Sequence, residues 1–349
     1  MSGRPNAARA AGFSLIEVLV AIALTIIVLY AVYSMLTLGQ TGFRRETEMA
    51  MMQMSTRAGI QRMSRELSMA GYRTPPMAAI LWNDGGGDNP DELTIIYADP
   101  DVPLARALPC GTTGQGSGGG GGPCGTIGQS STLFIDPDSF DPAPVDPETA
   151  YQEGMVLMAI ETEDCNGDGQ PGIFPFELTQ PPILTTASGK PTLRLNHNPG
   201  NASTDLNEPG GFNRQVQEDC ALIGRFRVIS YRVSGPPPVG NPTLERRDLS
   251  EGSGWLAVAH NVENLQIQYG IGDSQVLLDV PPQTPNDDPQ TWINRVSLSL
   301  TGRTESTNLR GASEGVFDPA DTYVRKTLTS MVTLRNVALE TANRAYGVQ

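Results

Sequence analysis

Positive charge is scarce in this sequence. There are 24 lysine and arginine residues against 38 aspartate and glutamate residues, which gives a formal net charge of −14 at pH 7. An electrostatic field of that sign repels nucleic acid and acidic surfaces. The composition therefore excludes nucleic acid as an expected partner.

Residues that carry catalysis are also few. His197 and His260 are the only histidines, and neither belongs to a metal-ligand or nucleophile motif. The chain has no Gly-x-Ser-x-Gly and no His-Glu-x-x-His, and its glycine-rich residues 114–122 lack the Gly-Lys-Ser/Thr of a P-loop. We therefore predict that the protein is not an enzyme and requires no cofactor, and that both histidines are structural.

Aromatic residues make up only 6% of the chain, whereas glycine (38) and proline (28) are abundant. Short apolar or alternating runs between Gly, Pro and Asp turns predict antiparallel strands separated by long loops. The polar stretch 183–220 is predicted to be a long insertion. The predicted strands are 93–97, 132–135, 155–160, 225–233, 255–259, 265–269, 296–301 and 323–334.

One long apolar run stands out near the amino terminus. Residues 13–38 contain only five polar side chains, namely Ser14, Glu17, Thr25, Ser34 and Thr37. A helix of that length crosses a bilayer core of about 30 Å. A charge inside such a helix costs about 2.5–3.5 kcal/mol at its centre, so Glu17 is expected to have a function.

The helix is predicted to continue beyond the apolar run, from about Ser14 to Ala70. Apolar residues recur there at steps of three and four, which predicts one buried face. Gly71 suits a left-handed cap, and Pro75 and Pro76 prevent continuation. The stripe, expected to pack in the core or alternatively on a partner, is Met49, Met52, Thr56, Ile60, Met63, Leu67 and Ala70.

The block GFSLIEVLVAIAL, which follows a short leader with Arg4 and Arg9, resembles the processing signal of type IV prepilins and pseudopilins. The resemblance implies that a prepilin peptidase cuts after Gly12 and methylates Phe13. It also implies that Glu17 pairs with the amino terminus of a neighbouring subunit during assembly. An ordinary signal peptide and a plain membrane anchor are the alternatives, but the run is long and no Ala-x-Ala site follows it.

That resemblance implies four segments and an α+β, pilin-like fold. They are a leader (1–12), a transmembrane assembly helix (13–38), an amphipathic continuation (39–71) and a periplasmic β-rich head (72–349). The long helix is expected to pack on antiparallel sheet that carries long loop insertions. The protein is expected to span the inner membrane once and to move later to the pilus on the cell surface.

The carboxyl-terminal third resembles PilW-type minor pilins. The resemblance rests on WLAVAHNVENLQIQYG (255–270), WINRVSLSLTGR (292–303) and YVRKTLTSMVTLRN (323–336), which follow one another in that order. It implies a minor pilin that acts in pilus priming or at the tip, with other major and minor pilins and the inner-membrane assembly platform as partners. A J-class pseudopilin of type II secretion and a calcium-stabilised tip adhesin are the alternatives.

Four cysteines lie at positions 110, 124, 165 and 220, and none forms a Cys-x-x-Cys pair. Four cysteines allow three disulfide connectivities. Because Cys110 and Cys124 flank a glycine-rich loop, we expect that local pair, with Cys165–Cys220 as the remainder. Disulfides persist outside the cytosol, which agrees with a periplasmic head. Free buried thiols are the alternative.

One constellation has the pattern of a calcium loop. Asp164, Asn166 and Asp168 offer oxygen ligands at alternate positions, and Gly169 permits the tight turn that such a loop needs. Pro175 stands where an EF-hand has its bidentate glutamate, so Glu161, Glu163 or Asp219 would have to complete the shell. A polar turn beside a disulfide is the alternative.

Overall fold

The computed structural model describes residues 14–107, 132–162, 173–187, 190–198, 200–204, 206–207, 221–235, 241–281, 291–307, 309 and 322–339. These residues form one long helix and sixteen strands in four antiparallel sheets, so the predicted α+β fold is confirmed. The helix is α1 (Leu15–Leu67). The strands are β1 (Ile80–Asn83), β2 (Glu92–Ala98), β3 (Ala105–Arg106), β4 (Thr132–Ile135), β5 (Val156–Glu161), β6 (Ile173–Glu177), β7 (Ile183–Ala187), β8 (Lys190–Asn196), β9 (Ala221–Gly224), β10 (Phe226–Ser234), β11 (Thr243–Asp248), β12 (Leu256–His260), β13 (Val262–Ile271), β14 (Leu277–Leu278), β15 (Ile293–Arg303) and β16 (Arg325–Thr333).

Helix α1 is continuous over 53 residues. At a rise of 1.5 Å per residue it is about 80 Å long. It ends at Leu67, three residues before the predicted end at Ala70, because the chain passes into turns there. Gly71 has φ 75°, the left-handed conformation predicted for it, and its N–H donates to the Ile96 carbonyl at 3.1 Å.

The second half of α1 packs against two sheets, whose strand orders are β1-β2-β10-β11-β12 and β14-β13-β15-β16. The predicted apolar stripe faces this core: Met52, Thr56, Ile60, Met63, Leu67 and Ala70 are all buried, and Met49 is half-buried. We call α1, these two sheets and their connections the scaffold (residues 14–98 and 226–339).

Two glycines let the helix and the sheets come close together. A Cβ on Gly59 of α1 would lie 3.0 Å from Leu244 Cδ2 and 3.3 Å from Leu300 Cδ2. A Cβ on Gly302 of β15 would lie 2.3 Å from Thr56 Oγ1 and 3.0 Å from Met52 Cγ. A side chain fits at either position only if these neighbouring atoms shift, and the shift required at Gly302 is the larger of the two.

Polar contacts fix the position of α1 along its own axis relative to the sheets. Glu48 accepts hydrogen bonds from the Ser306 N–H at 2.8 Å and from the Ser306 hydroxyl at 2.6 Å. Partial burial would raise the pKa of Glu48, but these hydrogen bonds lower it below its ordinary value. About two helical turns further into the head, the Ser55 hydroxyl donates to the His260 carbonyl at 2.9 Å.

The strands β2 and β10 are neighbours in the five-stranded sheet, yet 127 residues separate them in the sequence. This segment (residues 99–225), which we call the insertion, contains the other two sheets, β3-β9-β5-β6 and β4-β8-β7. It has a hydrophobic cluster of its own that includes Ile135, Leu157, Phe176, Leu193 and Ile223.

All eight predicted strands are confirmed, with shifts of a few residues at their ends. The stretch 183–220, predicted to be a long insertion, lies within the larger insertion, and its first part contains two strands that were not predicted, because Ile183–Ala187 and Lys190–Asn196 form the hairpin β7–β8. Buried side chains at Leu193 and Leu195 stabilise that hairpin. The strands β1, β3, β6, β9, β11 and β14 were not predicted either.

We predict that Gly302→Ala lowers the free energy of unfolding by about 1–3 kcal/mol, because the new methyl group overpacks the contact between β15 and α1. Alanine is otherwise the better residue in a strand, so any loss comes from the contact. Thermal unfolding of the full chain in detergent, followed by circular dichroism, measures the effect. Gly254→Ala is the matched control, because nothing lies within 4 Å of its Cβ position. Equal melting temperatures for the two variants would contradict the overpacking argument.

Candidate functional site

The first turn of α1 positions the Glu17 carboxylate. Ser14 is the N-cap residue, with extended backbone at φ −75° and ψ 147°. Its N–H donates to Glu17 Oε2 at 2.9 Å. A carboxylate at the third helical position pairs with exposed N–H groups and with the positive end of the helix dipole. Local geometry therefore holds Glu17 at the amino-terminal end of the helix.

The rest of the first half of α1 presents apolar side chains on all sides. Leu15 is 82% exposed and Met35 is 78% exposed, and the large apolar residues between them are exposed as well. By length and composition α1 can cross a membrane, and no other helix in the described residues can. Lipid or other helices must cover such a surface in the cell, so the segment is consistent with membrane anchoring.

Glu17 is the one acidic residue on that apolar surface, which contains no basic residue between Ser14 and Phe43. Its hydrogen bond to Ser14 involves a neutral donor from the same turn. A carboxylate in an apolar environment gains most from a cation, which supplies charge as well as hydrogen bonds. The arrangement can therefore accept a positive group from another molecule. Gly12 and Phe13, the predicted cleavage and methylation residues, lie outside the described residues.

The predicted disulfide and calcium residues also lie outside the described residues. They are Cys110, Cys124, Cys165, Cys220, Asp164, Asn166 and Asp168. Nearby, the carboxylate residue Glu161 is wholly buried at the end of β5, and it is paired with Ala221 at the start of β9. In the described part of the chain, no group of three His, Cys, Asp or Glu residues is placed to hold a metal ion.

The two histidines lie in different parts of the fold, His197 directly after β8 and His260 at the end of β12. His197 is buried, with its ring centroid 5.4 Å from that of Phe176, and burial lowers its pKa to about 4. The ring is therefore uncharged at neutral pH. His260 ends β12 with an exposed side chain, and its carbonyl accepts the hydrogen bond from Ser55. The buried position of His197 agrees with the structural role predicted for it. His260 contributes its backbone carbonyl, and the role of its side chain stays a prediction.

A polar network that the sequence did not reveal joins the end of α1 to the five-stranded sheet. Glu66 accepts hydrogen bonds from the Tyr231 hydroxyl and from Arg246 Nε, the latter at 3.0 Å. Arg246 Nη2 also donates to the buried Asp248 at 3.3 Å, and Arg227 lies 3.4 Å from the same carboxylate.

Electrostatics shift the pKa values of Arg246 and Tyr231 in this network. Burial would lower the pKa of Arg246, but the charge of Glu66 raises it above its ordinary value. Burial and Glu66 together raise the pKa of Tyr231, so its hydroxyl remains a donor. In the sequence Glu66 is one of several charged residues beside an apolar stripe, and nothing local distinguishes it. The network joins the last turn of α1 to β10 and β11.

Comparison with known proteins identifies the amino-terminal segment. Residues 7–33 match the family model of the prokaryotic N-terminal methylation motif. No curated protein and no solved structure matches the chain. The matched residues include Gly12, Phe13 and Glu17 and most of the exposed apolar part of α1. The chain therefore carries the prokaryotic N-terminal methylation motif at residues 7–33, and this motif indicates a protein like the type IV pilins and pseudopilins.

Proposed function

We propose that this protein is a minor pilin of a type IV pilus, most similar to the PilW type, and that it assembles through α1. The observation that carries the proposal is the position of Glu17 in the first turn of an exposed apolar helix. A structural subunit needs such a surface and no catalytic centre. The absence of recognisable catalytic motifs in the sequence agrees with that role.

In this mechanism the chain is made as a prepilin in the inner membrane, with its head in the periplasm. Prepilin peptidase cleaves between Gly12 and Phe13 and methylates the new amino terminus. On the assembly platform, apolar helices of major and minor pilins bundle, and Glu17 neutralises the amino terminus of a neighbour. Opposite charges attract strongly in a low-dielectric environment, so correctly staggered neighbours are favoured over unpaired ones.

The size of the head supports a rare subunit that acts in priming or at the tip. The insertion of 127 residues adds a second hydrophobic cluster to the scaffold. Bulk of that kind is easier to place at an end of a filament than in every layer of its wall. The second candidate is a J-class pseudopilin of type II secretion, which would use the same helix. Neighbouring genes distinguish the two systems, as pilus genes or as secretion genes.

A third candidate, a calcium-stabilised tip adhesin, rests on the insertion. Buried Glu161 directly precedes the loop with Asp164, Asn166 and Asp168, and carboxylates are ligands that calcium prefers. The proposed disulfide Cys165–Cys220 would connect the same segment, which contains Cys165, to the residue before β9. Cys220 directly precedes Ala221, which is opposite Glu161 on the neighbouring strand.

Processing gives the first prediction of the proposed function. Mass spectrometry of protein from cells with active prepilin peptidase should show an amino terminus that begins at Phe13 and carries one added methyl group. Gly12→Leu should leave the precursor in the membrane, because the peptidase requires a small residue before the cut. An intact leader in the mature protein would refute this assignment.

The second prediction concerns Glu17→Ala. This variant should insert into the membrane at least as well as the parent, since an intramembrane charge is removed. Its incorporation should nevertheless fall at least tenfold, because the neighbour's amino terminus loses its partner. Quantitative pulldown of tagged chains with the other pilins measures this. Glu46→Ala, which removes an exposed glutamate of the same helix beyond the apolar run, is the control. Equal incorporation of the Glu17 variant and the parent would contradict the assigned role.

The third prediction concerns calcium. Binding to the folded state alone stabilises a protein by about 2.7 kcal/mol at a hundredfold excess over Kd. The mature chain in detergent should therefore melt at a higher temperature in calcium than in chelator. Asp168→Ala should remove that difference, whereas Asp138→Ala, at an exposed position outside the loop, should retain it. Identical melting temperatures of the parent in calcium and in chelator would contradict calcium binding and would favour the alternative of a polar turn.

A further inference from the structure

We infer that the insertion is a separable folding unit and that assembly uses the scaffold alone. The chain leaves and re-enters the scaffold at one narrow place. Ala98 of β2 is paired with Phe226 of β10, and just beyond them the Asp99 N–H donates to the Arg225 carbonyl at 2.8 Å. Arg225 Nε also lies 3.6 Å from Asp99 Oδ2. The insertion therefore occupies the position of a hairpin turn.

In the described part of the insertion, the strands pair with one another and the apolar side chains form their own core. In the described residues, the strands β3 to β9 pair only with one another. The buried Tyr151 hydroxyl donates to the carbonyls of Pro103 and Ile223, both within the insertion. Glu177 accepts hydrogen bonds from Ser203 N at 3.0 Å and Thr204 N at 2.8 Å. Self-contained pairing of this kind is what an independent folding unit requires.

The core around α1 is equally independent of the insertion. Every buried residue of that cluster, from Ile60 to Val337, lies outside residues 99–225. The polar contacts of α1 through Glu48, Ser55 and Glu66 also end on scaffold residues. In the described residues, the scaffold therefore positions the helix that we propose for assembly.

The net charge of the insertion also differs from that of the rest of the chain. The insertion has 17 acidic and 5 basic residues, a net charge of −12, whereas the rest of the chain has 21 acidic and 19 basic residues, a net charge of −2. A change of composition at both ends of one segment is typical of a distinct unit set into another. This observation is independent of the packing.

A small apolar interface joins the two units. Ile96, Ala98, Phe226 and Val228 of the scaffold pack on Leu104, Met158 and Ile160 of the insertion. Arg73 of the scaffold forms an ion pair with Asp141 of the insertion at 2.8 Å. Removal of the insertion would expose the apolar side chains of Ile96, Ala98, Phe226 and Val228 to water.

The test replaces residues 100–224 with Asn-Gly, so that Asp99 and Arg225 flank a two-residue turn whose twist suits an antiparallel pair. A second version also carries Ile96→Thr and Val228→Thr, which make the exposed patch polar and keep strand propensity. A control deletion of residues 243–260 removes β11 and β12, which contact α1 through Leu244 and Ala259. All chains are purified in detergent and compared by thermal unfolding and by pulldown with the other pilins.

At least one of the two excised versions should unfold cooperatively and be incorporated within about twofold of the parent, whereas the control deletion should not fold. Loss of cooperative unfolding in both versions would overturn the inference. An excised chain that folds but is not incorporated, beside a parent that is, would overturn it as well. The incorporation measurement rests on the proposed function. If the parent itself is not incorporated, that function fails, and the unfolding data alone decide whether the insertion is separable.

Discussion

Close packing of the second half of α1 against the scaffold sheets is the constraint on which the rest of the structure depends. Gly59 and Gly302 remove the side chains that would hold helix and sheet apart, and Met52, Met63 and Leu67 fill the space between them. Because this half is fixed to the head by packing, the first half must extend away from it as one continuous rod. The apolar surface that the rod presents follows from the absence of any partner within the described head.

The glutamates of α1 show how one helix serves two environments. Glu48 and Glu66 are held by distant residues of the scaffold, through Ser306 and through Arg246 with Tyr231. Glu17, by contrast, has only the N–H of Ser14 in its own turn. A carboxylate with a tertiary partner stabilises the fold, whereas one that lacks a partner on an apolar surface favours association with a cation. The environment of each carboxylate thus separates the structural role of Glu48 and Glu66 from the assembly role that we propose for Glu17.

Local patterns predicted the elements that have a clear period. The stripe from Met49 to Ala70 predicted α1 and its buried face, and the motif around Gly12 and Glu17 predicted the candidate site. Two strands were missed because they contain proline, which argues against a central strand. Pro175 lies in β6, which is an edge strand. Pro191 lies near the start of β8, where only β7 pairs with that strand. A third strand, β11, was missed because its sequence is polar. Its charged residues Arg246 and Asp248 are nevertheless buried, since they form an ion pair with each other. The insertion could not be found locally, since its boundary depends on the pairing of β2 with β10 across 127 residues.

The distribution of charge bears on how many copies an assembly can contain. Exposed charges interact over about 8 Å at physiological ionic strength. Insertions with a net charge of −12 each would therefore repel one another wherever they came into contact in successive layers of a filament wall. The remainder of the chain, which carries α1, has a net charge of only −2 and would not oppose close packing to the same degree. A subunit of this kind fits a filament when its neighbours lack the insertion, so electrostatics favour few copies among smaller pilins over a wall built from this chain alone.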